Sequence, residues 1–522
     1  MRNNKVLRSA GLVVCLALCL VVTSCSGSQE PAASEPPALD QTADPTEAAA
    51  SDVAEIVVVV QDEPDLVWHS TDFASITITS NLYESLVTRD AAGDLSPLLA
   101  ESWEQVDDLT WRFHLKQGVI FHDGAPFDAN SVAWHIETLS DPEFAGAVTH
   151  KFSDNKLSTQ VIDDFTIDII TEFPDPILPR LMYWLFMSSP DSQKLDTDSQ
   201  NMVGTGPYKL DTWDHGESVV LVANPDYWGD EPTVKKVTFI WREDPALRLA
   251  MVRAGDADIA QGIVPGDDSS VRILTANISE TSFIHLDPNP PLDDIRVRKA
   301  ICMAFDREVI VDDIFSGYAN PATQLVTSDV MGFNPEIPLM TYDPEQARSL
   351  IEDAKGDGVP VELELTIIGR NGIHSNATKA MEELQLWLTE IGLKVNLEML
   401  DKPDWKEHIN SNPVPEDRRT ITQSSHGNEA GDSIFTMGAY YHSDARKTTF
   451  PDTTQDDLIS AAAPLVGDAR EQALSEVLAY QHDNVMQDCP MVHLQAVWGI
   501  SERVDWEPRF DNMILVMTVS LN

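Results

Sequence analysis

The stretch TWRFHLKQGVIFHDGAPFDANSVAW (residues 110–134) contains three structural signals in the order strand, turn and helix. Polar and apolar residues alternate over its first half, which is typical of a half-buried strand. The pair Asp123-Gly124 favours a tight turn. Asp128 precedes an apolar pattern with helical spacing, so we expect it to cap a helix. Strands that alternate with helices in this way predict an α/β fold.

The alternation of strands and helices continues on both sides of that stretch. Residues 54–61 (AEIVVVVQ) predict a fully buried strand, and residues 75–87 (SITITSNLYESLV) predict a β-rich start followed by a helix. Residues 246–260 predict a helix that ends at Gly255 in the left-handed conformation. Residues 292–317 predict two further helices. No internal repeat is visible, and the length of the body exceeds that of a single core and suggests two or three subdomains.

Several segments resemble one known family when they are taken together and in order. They are NLYESLVTRDAAGDLSPLLAESWE (81–104), the stretch 110–134, VGTGPYKL (203–210), NPDYWG (224–229), RAGDADIA (253–260) and PPLDDIRVRKAICMAFDRE (290–308). This set is similar to the extracytoplasmic solute-binding proteins of the dipeptide, oligopeptide and nickel class (family 5) of ABC importers. The resemblance covers almost all of residues 54–522.

The resemblance implies a two-lobed periplasmic-binding-protein-like fold (type II) with an additional subdomain. The expected segments are a signal peptide (1–24), a tether (25–53), the lobe I core (54–85, 217–290 and 496–522), the extra subdomain of lobe I (86–216) and lobe II (291–495). A ligand would bind in the cleft, the lobes would close about a hinge, and the closed form would dock on a permease. We expect a monomer that serves an ABC permease and its ATPase.

The amino terminus predicts export and lipidation. Basic residues precede an unbroken apolar run at residues 10–22, which is shorter than the roughly 20 residues that span a bilayer. The following VTSC (22–25) resembles the lipobox of bacterial lipoproteins, which implies a lipid anchor on Cys25. The alternative is an ordinary secretory signal in which Cys25 is incidental. The expected location is outside the cytoplasm, at a cell surface or in a periplasm.

The acidic composition of the chain limits the kinds of molecule that it can bind. Residues 26–53 are rich in Ala, Pro, Ser, Asp and Glu and contain no Lys or Arg, so they predict a disordered acidic tether. The formal net charge of the chain is −50, which argues against nucleic-acid binding because phosphate would be repelled. We attribute this charge to a solvated acidic surface rather than to a special cationic partner.

Two of the five cysteines, Cys302 and Cys489, lie in the predicted body. An oxidising location permits a disulfide between them. Cys302 falls on the apolar face of a predicted helix, which favours two buried free thiols. The sequence leaves both arrangements open.

Candidate ligand contacts come first from the segment after the first buried strand. Ligands in α/β folds bind beyond the carboxyl ends of strands. The segment QDEPDLVWHSTD (61–72) therefore makes Trp68 and His69 cleft candidates. The alternative for Trp68 is ordinary core packing.

A second set comes from residues 422–443, a polar segment that contains glycine. Peptide-binding members of the family often carry a Trp and an Asp in the corresponding loop, where the Asp pairs with the ligand's α-amine. Here no Trp is present and the matching position is assigned to Gly427, so free-amine peptides are in doubt unless another acid replaces the Asp. The alternative for Asp432 is a helix N-cap. The candidates in this segment are His426, Asn428, Glu429, Asp432 and Tyr440.

Catalysis and metal binding have little support in the sequence. HExxH, G-x-S-x-G and P-loop motifs are absent, and the 13 His residues are scattered. For Trp405 and Trp498, core packing is favoured over a ligand wall. We expect a peptide or peptide-like ligand, no enzyme activity, no cofactor and no metal site. The alternatives are a nickel chelate, a sugar or oligosaccharide, a sensing role, and more remotely a surface hydrolase.

Overall fold

Two long antiparallel strands, Arg272–Leu286 and Asp488–Ile500, run through the middle of the main sheet. The computed structural model describes residues 54–64, 73–90, 93–139, 152, 155–193, 202–265, 270–374, 376–428 and 430–522. Cys25, Trp68, His69 and Glu429 lie outside this part of the chain.

The strands, numbered along the chain, are β1 Glu55–Val60, β2 Val87–Arg89, β3 Leu95–Pro97, β4 Ala100–Asp107, β5 Thr110–Leu115, β6 Leu157–Asp163, β7 Thr166–Thr171, β8 Tyr208–Asp214, β9 Ser218–Ala223, β10 Lys236–Trp241, β11 Ile259–Gln261, β12 Arg272–Leu286, β13 Ala319–Pro321, β14 Glu364–Arg370, β15 Lys394–Leu400, β16 Thr420–Gly427, β17 Asp488–Ile500, β18 Val504–Asp505 and β19 Ser520–Leu521.

The α-helices are α1 Phe73–Thr79, α2 Ala129–Thr138, α3 Leu178–Leu181, α4 Pro190–Gln193, α5 Pro245–Ala254, α6 Ile295–Ala304, α7 Arg307–Val309, α8 Pro344–Gly356, α9 Ala377–Glu390, α10 Lys402–Ile409, α11 Ser433–Thr436, α12 Thr453–Ala462 and α13 Gly467–Tyr480. Within the described ranges, no helix is both long and apolar enough to cross a membrane.

The main sheet has the order β15-β14-β16-β12-β17-β11-β1-β10-β9-β8, and β13 pairs with β17 beside this path. At one end of the long pair, β11 joins β17 at Ile500, where Arg272 of β12 also pairs. At the other end, β16 joins β12 over Glu280–Leu286. The strands β12 and β17 therefore belong to both halves of the sheet, and they connect the halves.

The ladder between these two connecting strands is interrupted near its middle. Its register shifts between Asn277 and Thr281, and again between Ser282 and Phe283. A bulge bends a strand and increases its local twist. The two halves of the sheet therefore meet at a break in the ladder, at the place where the chain passes from one half to the other.

The stretch 110–134 folds as its sequence predicts. Strand β5 lies in a four-stranded antiparallel sheet of order β4-β5-β7-β6. Helix α2 starts after Asp128, whose carboxylate accepts a hydrogen bond from Ser131 N–H. Helix α5 ends at Gly255 in the left-handed conformation (φ 80°), which is also as predicted. Strand β1 lies between β10 and β11 and is parallel to both, which explains its apolar run.

Residues 75–79 were predicted to be β-rich and instead lie in helix α1. The prediction is wrong because tertiary burial outweighs the strand preference of Ile and Thr. Ile76 and Ile78 are buried in the main hydrophobic core. Asn81 secures the end of the helix, since its side-chain amide donates to Thr77 O and Ile514 O.

Cys302 and Cys489 form a disulfide, so the preference for free thiols is wrong. Cys302 does lie on the buried face of α6, as predicted. That face packs in the same core as β17, which carries Cys489. The two cysteines are 187 positions apart in the sequence, so no local pattern reveals that they are close in the fold.

The segment boundaries given above for the lobes remain predictions. Strand β8 pairs with β9 in the main sheet although it lies inside 86–216. The four-stranded sheet, which spans residues 100–171, lies inside the same segment.

Candidate functional site

A cavity of about 670 Å³ lies beyond the carboxyl end of β16. One wall comes from α1 and from residues 152–184, which include the segment after β7 and helix α3. The other wall comes from the end of β16 and from residues 434–470. Its volume falls within the range of about 300–1,000 Å³ that is typical of sites for small organic ligands.

Much of this cavity is apolar. Phe152, Ile177 and Trp184 contribute from the first wall, and Ile434 and Phe435 contribute from the second. These side chains can cover the apolar part of a ligand and remove it from water, which favours binding.

The ion pair between Asp432 and Arg470 closes part of the second wall. Arg470 Nε lies 2.7 Å from Asp432 Oδ2, and Nη2 lies 3.1 Å from Oδ1. Both side chains are buried. Asp432 also accepts from Ile434 N–H and caps α11. Its carboxylate is therefore used within the protein, which agrees with the N-cap alternative.

Asp175 lies on the first wall and, unlike Asp432, is not bound by an arginine side chain of the described chain. Its Oδ1 accepts a hydrogen bond from Ile177 N–H at 3.2 Å. In the part of the chain that the structure describes, no Lys, Arg or His nitrogen lies within ion-pair distance of its carboxylate. Burial raises the pKa of Asp175 to about 6, and the Ile177 N–H and the charge of Arg470 oppose that rise.

Two cations follow one another on the second wall. Lys447 Nζ donates to the hydroxyl of Tyr440 at 2.8 Å and lies 4.6 Å from the centre of its ring. Arg446 is exposed and forms no hydrogen bond or ion pair with any described residue. Among the described residues that line the cavity, two acids (Asp175 and Asp444) and two cations (Arg446 and Lys447) thus form no ion pair with a Lys, Arg, Asp or Glu side chain.

The chain matches the family model described as "Bacterial extracellular solute-binding proteins, family 5 Middle" over residues 94–446. It is 30% identical over 381 residues to "Probable di/tripeptide-binding protein 5" of Pseudomonas aeruginosa, covering 65% of this chain and 70% of the relative. The chain belongs to family 5. As in other members of that family, its place of action is extracytoplasmic.

Further likenesses agree with this family 5 assignment. "Glutathione-binding protein GsiB" of Salmonella paratyphi A is 27% identical over 347 residues, covering 64% of this chain and 67% of the relative. The periplasmic binding protein DppA of Helicobacter pylori, solved with the peptide STSA, has a TM-score of 0.77 at 21% identity, covering 90% of this chain and 98% of that chain. The α/β, two-lobed fold expected from the sequence is confirmed.

Of the predicted site residues that the structure describes in this family 5 protein, His426 lines the cavity, whereas Asn428, Asp432 and Tyr440 are buried and are not part of its lining. His426 lines the cavity, and its Nε2 lies 2.9 Å from Thr436 Oγ1. Asn428 is fully buried, and its amide donates to Asp432 O and Thr436 Oγ1. Tyr440 is also fully buried and is not part of the cavity lining, but it contacts two lining residues, the ring of His426 and the ammonium group of Lys447. Their roles as ligand contacts remain predictions.

Other sequence expectations can be placed as well. Trp498 is fully buried, and Trp405 is buried and donates from its indole nitrogen to Gln423 O, so core packing is confirmed for both. Among the described residues, no group of three or more His, Cys, Asp or Glu side chains is arranged to hold a metal ion.

Sequence reasoning missed Asp175, Arg446 and Lys447. Two signals for them exist in the sequence. Asp175 stands between two prolines, and Arg446-Lys447 is a pair of adjacent cations in a strongly acidic chain. Neither signal shows that these residues share a cavity, because Asp175 and Arg446 are 271 positions apart in the sequence.

Proposed function

We propose that this family 5 protein is the substrate-binding lipoprotein of an ABC importer that captures a peptide or peptide-like solute in the cleft. The ligand would bridge the two walls of the cavity and favour the closed arrangement of the lobes, since a ligand that contacts both walls stabilises closure. The closed protein would then deliver the solute to a membrane permease driven by an ATPase. No covalent step is part of this mechanism.

One observation carries the proposal: the cavity between the two walls combines apolar surface with unneutralised charges of both signs. A short peptide has apolar side chains, an ammonium group and a carboxylate, so it complements all three features. The names of the relatives, which refer to di/tripeptides and to glutathione, support the same ligand class.

A thermal-melt screen tests this ligand class. Residues 54–522 would be screened against di- and tripeptides, glutathione, nickel–histidine and oligosaccharides. A ligand at 100-fold over its dissociation constant adds about 2.7 kcal/mol of stability, which raises the melting temperature measurably. We expect a shift with short peptides. A shift with only the nickel chelate or only the sugars would contradict the peptide assignment and leave the transport class in place.

The lipid anchor has its own test. Incorporation of labelled palmitate should be lost in Cys25→Ser and retained in the matched control Cys19→Ser, because the proposed acceptor is the cysteine that follows VTS. Equal labelling of both variants would overturn the anchor at Cys25.

A further inference from the structure

The pair Asn371-Gly372 directly follows β14 and is the only Asn-Gly pair in the chain. Both residues are exposed, and Gly372 has the left-handed backbone conformation (φ 68°). The amide nitrogen of Gly372 donates to no acceptor among the described residues. We propose that Asn371 is a site of spontaneous deamidation, which replaces its side-chain amide by a carboxylate and weakens a contact between the two halves of the main sheet.

The reaction needs only these two residues and water. The amide nitrogen of Gly372 attacks Cγ of Asn371, so a new C–N bond closes a succinimide ring. The bond between Cγ and Nδ2 breaks, and ammonia leaves with the proton that the Gly372 amide gives up. Water then opens the ring at either carbonyl group and returns a proton to the ring nitrogen. One water is consumed and one ammonia is released, and the product is aspartate or isoaspartate.

The backbone after β14 leaves the attacking nitrogen accessible. Glycine has no Cβ atom to hinder the approach, and it adopts backbone conformations that other residues rarely reach. Asn130 is also exposed, but the N–H that follows it, that of Ser131, donates to Asp128 Oδ1 at 2.9 Å. The same reaction at Asn130 would have to break that bond at the start of α2. Asn130 is therefore a matched control that should not react.

The first consequence of deamidation concerns the start of α10. Asn371 Nδ2 donates to Asp401 Oδ1 at 2.9 Å, and Asp401 is the residue before that helix. A carboxylate at position 371 has no proton to donate, so this hydrogen bond is lost. The two carboxylates would then repel each other, because like charges at close range interact unfavourably. The turn at 371–372 would move away from Asp401.

The second consequence concerns the contact between the halves of the sheet. Gln61 follows β1 in one half, and its Nε2 donates at 3.1 Å to Gly372 O, which follows β14 in the other half. Strand β14 is parallel to β16, whose carboxyl end borders the cavity, so this contact lies at the same edge of the sheet as the cavity. Isoaspartate adds a carbon atom to the main chain just before Gly372 and displaces its carbonyl group from Gln61.

The hydrogen bond between Gln61 and Gly372 favours the arrangement in which the two halves are close together, as a bridging ligand does. Loss of this bond should therefore weaken ligand binding. The chemical step is independent of the proposed function, whereas the effect on binding rests on it.

Peptide mapping by mass spectrometry tests the chemical step. The full-length protein would be kept in mildly alkaline buffer at physiological temperature and sampled over time. In the peptide that contains Asn371, we expect the mass change of deamidation and methylation by an isoaspartate methyltransferase. The peptide that contains Asn130 should stay unchanged, and Gly372→Ala should slow the reaction.

A synthetic peptide of residues 366–376 serves as the unfolded reference for this map. If the synthetic peptide deamidates while Asn371 in the folded protein keeps its amide, the inference is overturned, because the fold then protects the site.

Calorimetric titration with the dipeptide Ala-Phe tests the effect on binding. Asn371→Asp reproduces the aspartate product, and we expect it to weaken binding by about two- to tenfold, which corresponds to one neutral hydrogen bond. Gln61→Ala should weaken binding by a similar factor. Adding Asn371→Asp to Gln61→Ala should have little further effect, because both changes act through the same contact.

The matched control is Asn130→Asp. Asn130 Nδ2 donates to Asp128 Oδ2, so this variant also places a carboxylate beside an aspartate, but it lies outside the contact between the halves. We expect it to bind Ala-Phe like the wild type. Wild-type affinity in Asn371→Asp, or equal losses in Asn371→Asp and Asn130→Asp, would overturn the effect on the contact. Failure of the wild type to bind Ala-Phe would refute the proposed ligand class, while the peptide map still decides the deamidation.

Discussion

Asp432 and Asp175 are both influenced by the charge of Arg470, yet their situations are opposite. Asp432 is paired with Arg470 through two hydrogen bonds, is buried, and caps a helix. Asp175 is influenced by the charge of the same guanidinium but forms no ion pair with any residue that the structure describes. A buried charge that is paired holds the fold together, whereas a half-buried carboxylate without a cationic partner favours a ligand that can neutralise it.

The largest loss of stability should come from breaking the ion pair between Asp432 and Arg470. Arg470→Met leaves the Asp432 carboxylate buried without its cation, so we expect the free energy of unfolding to fall by about 3–5 kcal/mol. Urea denaturation measures it. The control Arg446→Met removes an exposed cation and should change stability by no more than about 0.5 kcal/mol. Similar losses in the two variants would contradict the comparison.

The ion pair between Arg418 and Asp287 should also contribute to stability, but its loss should cost less free energy of unfolding. Arg418 holds Asp287 through two nitrogens, at 3.0 and 2.8 Å. Asp287 also accepts from the backbone and hydroxyl of Thr420, and these two bonds would survive the loss of the cation. We therefore expect Arg418→Met to lower the free energy of unfolding by about 2–3 kcal/mol. A loss below that of Arg446→Met would show that this pair is dispensable.

The unpaired carboxylate should respond in the opposite direction. Because burial raises the pKa of Asp175 to about 6, its ionised form destabilises the folded state at any pH above that value. We expect Asp175→Asn to be more stable than the wild type by about 1–2 kcal/mol at pH 8. The difference should shrink as the pH falls from about 6 towards 3.8, the ordinary pKa of the carboxyl, and should vanish only below about pH 3, where the wild-type carboxyl is protonated in both states. Urea denaturation at several pH values measures this difference in stability. An Asp175→Asn variant that is less stable than the wild type at pH 8 would contradict the prediction.

The smallest effect on stability should come from the apolar side of the cleft. Phe173 lines the cavity and is 58% exposed, so Phe173→Ser should alter the free energy of unfolding by no more than about 0.5 kcal/mol. Its loss should still weaken Ala-Phe binding by about three- to tenfold, because covered apolar surface is removed. The matched control Leu386→Ser changes a residue of α9 that is 63% exposed and outside the cavity lining. Titration of both variants with Ala-Phe would show whether a weaker affinity comes from the cleft or from the loss of any exposed apolar side chain.

Local signals in the sequence predicted much of the framework. Caps such as Asp128 and Gly255 act through hydrogen bonds and backbone angles within a few residues of themselves, so they can be read directly. The segment VGTGPYKL (203–210), one of those that carry the family resemblance, bends at residues 205–207. Gly204 is required there because a Cβ atom would lie 2.1 Å from Leu82 O. Even in this turn, the neighbour that demands glycine comes from a remote part of the chain.

The candidate site was predicted only in part for a related reason. His426 and Gly427 belong to the polar segment 422–443 that the sequence singled out, and the structure places both at the end of β16 and at the cavity. Asp432 was ambiguous between a cap and a ligand contact, and the partner that decides the matter, Arg470, lies 38 residues away. Asp175 drew no attention because its surroundings are assembled from distant segments.

The sequence by itself determined the family, the α/β class, and most helix and strand positions, because these depend on short-range patterns and on ordered motifs along the chain. Only the tertiary structure decided that residues 75–79 form a helix, that Cys302 and Cys489 pair, and that Asp432 is neutralised while Asp175 is not. These outcomes depend on which distant residues are buried together. Burial sets the cost of leaving a polar group or a charge unpaired, and no local pattern encodes that cost.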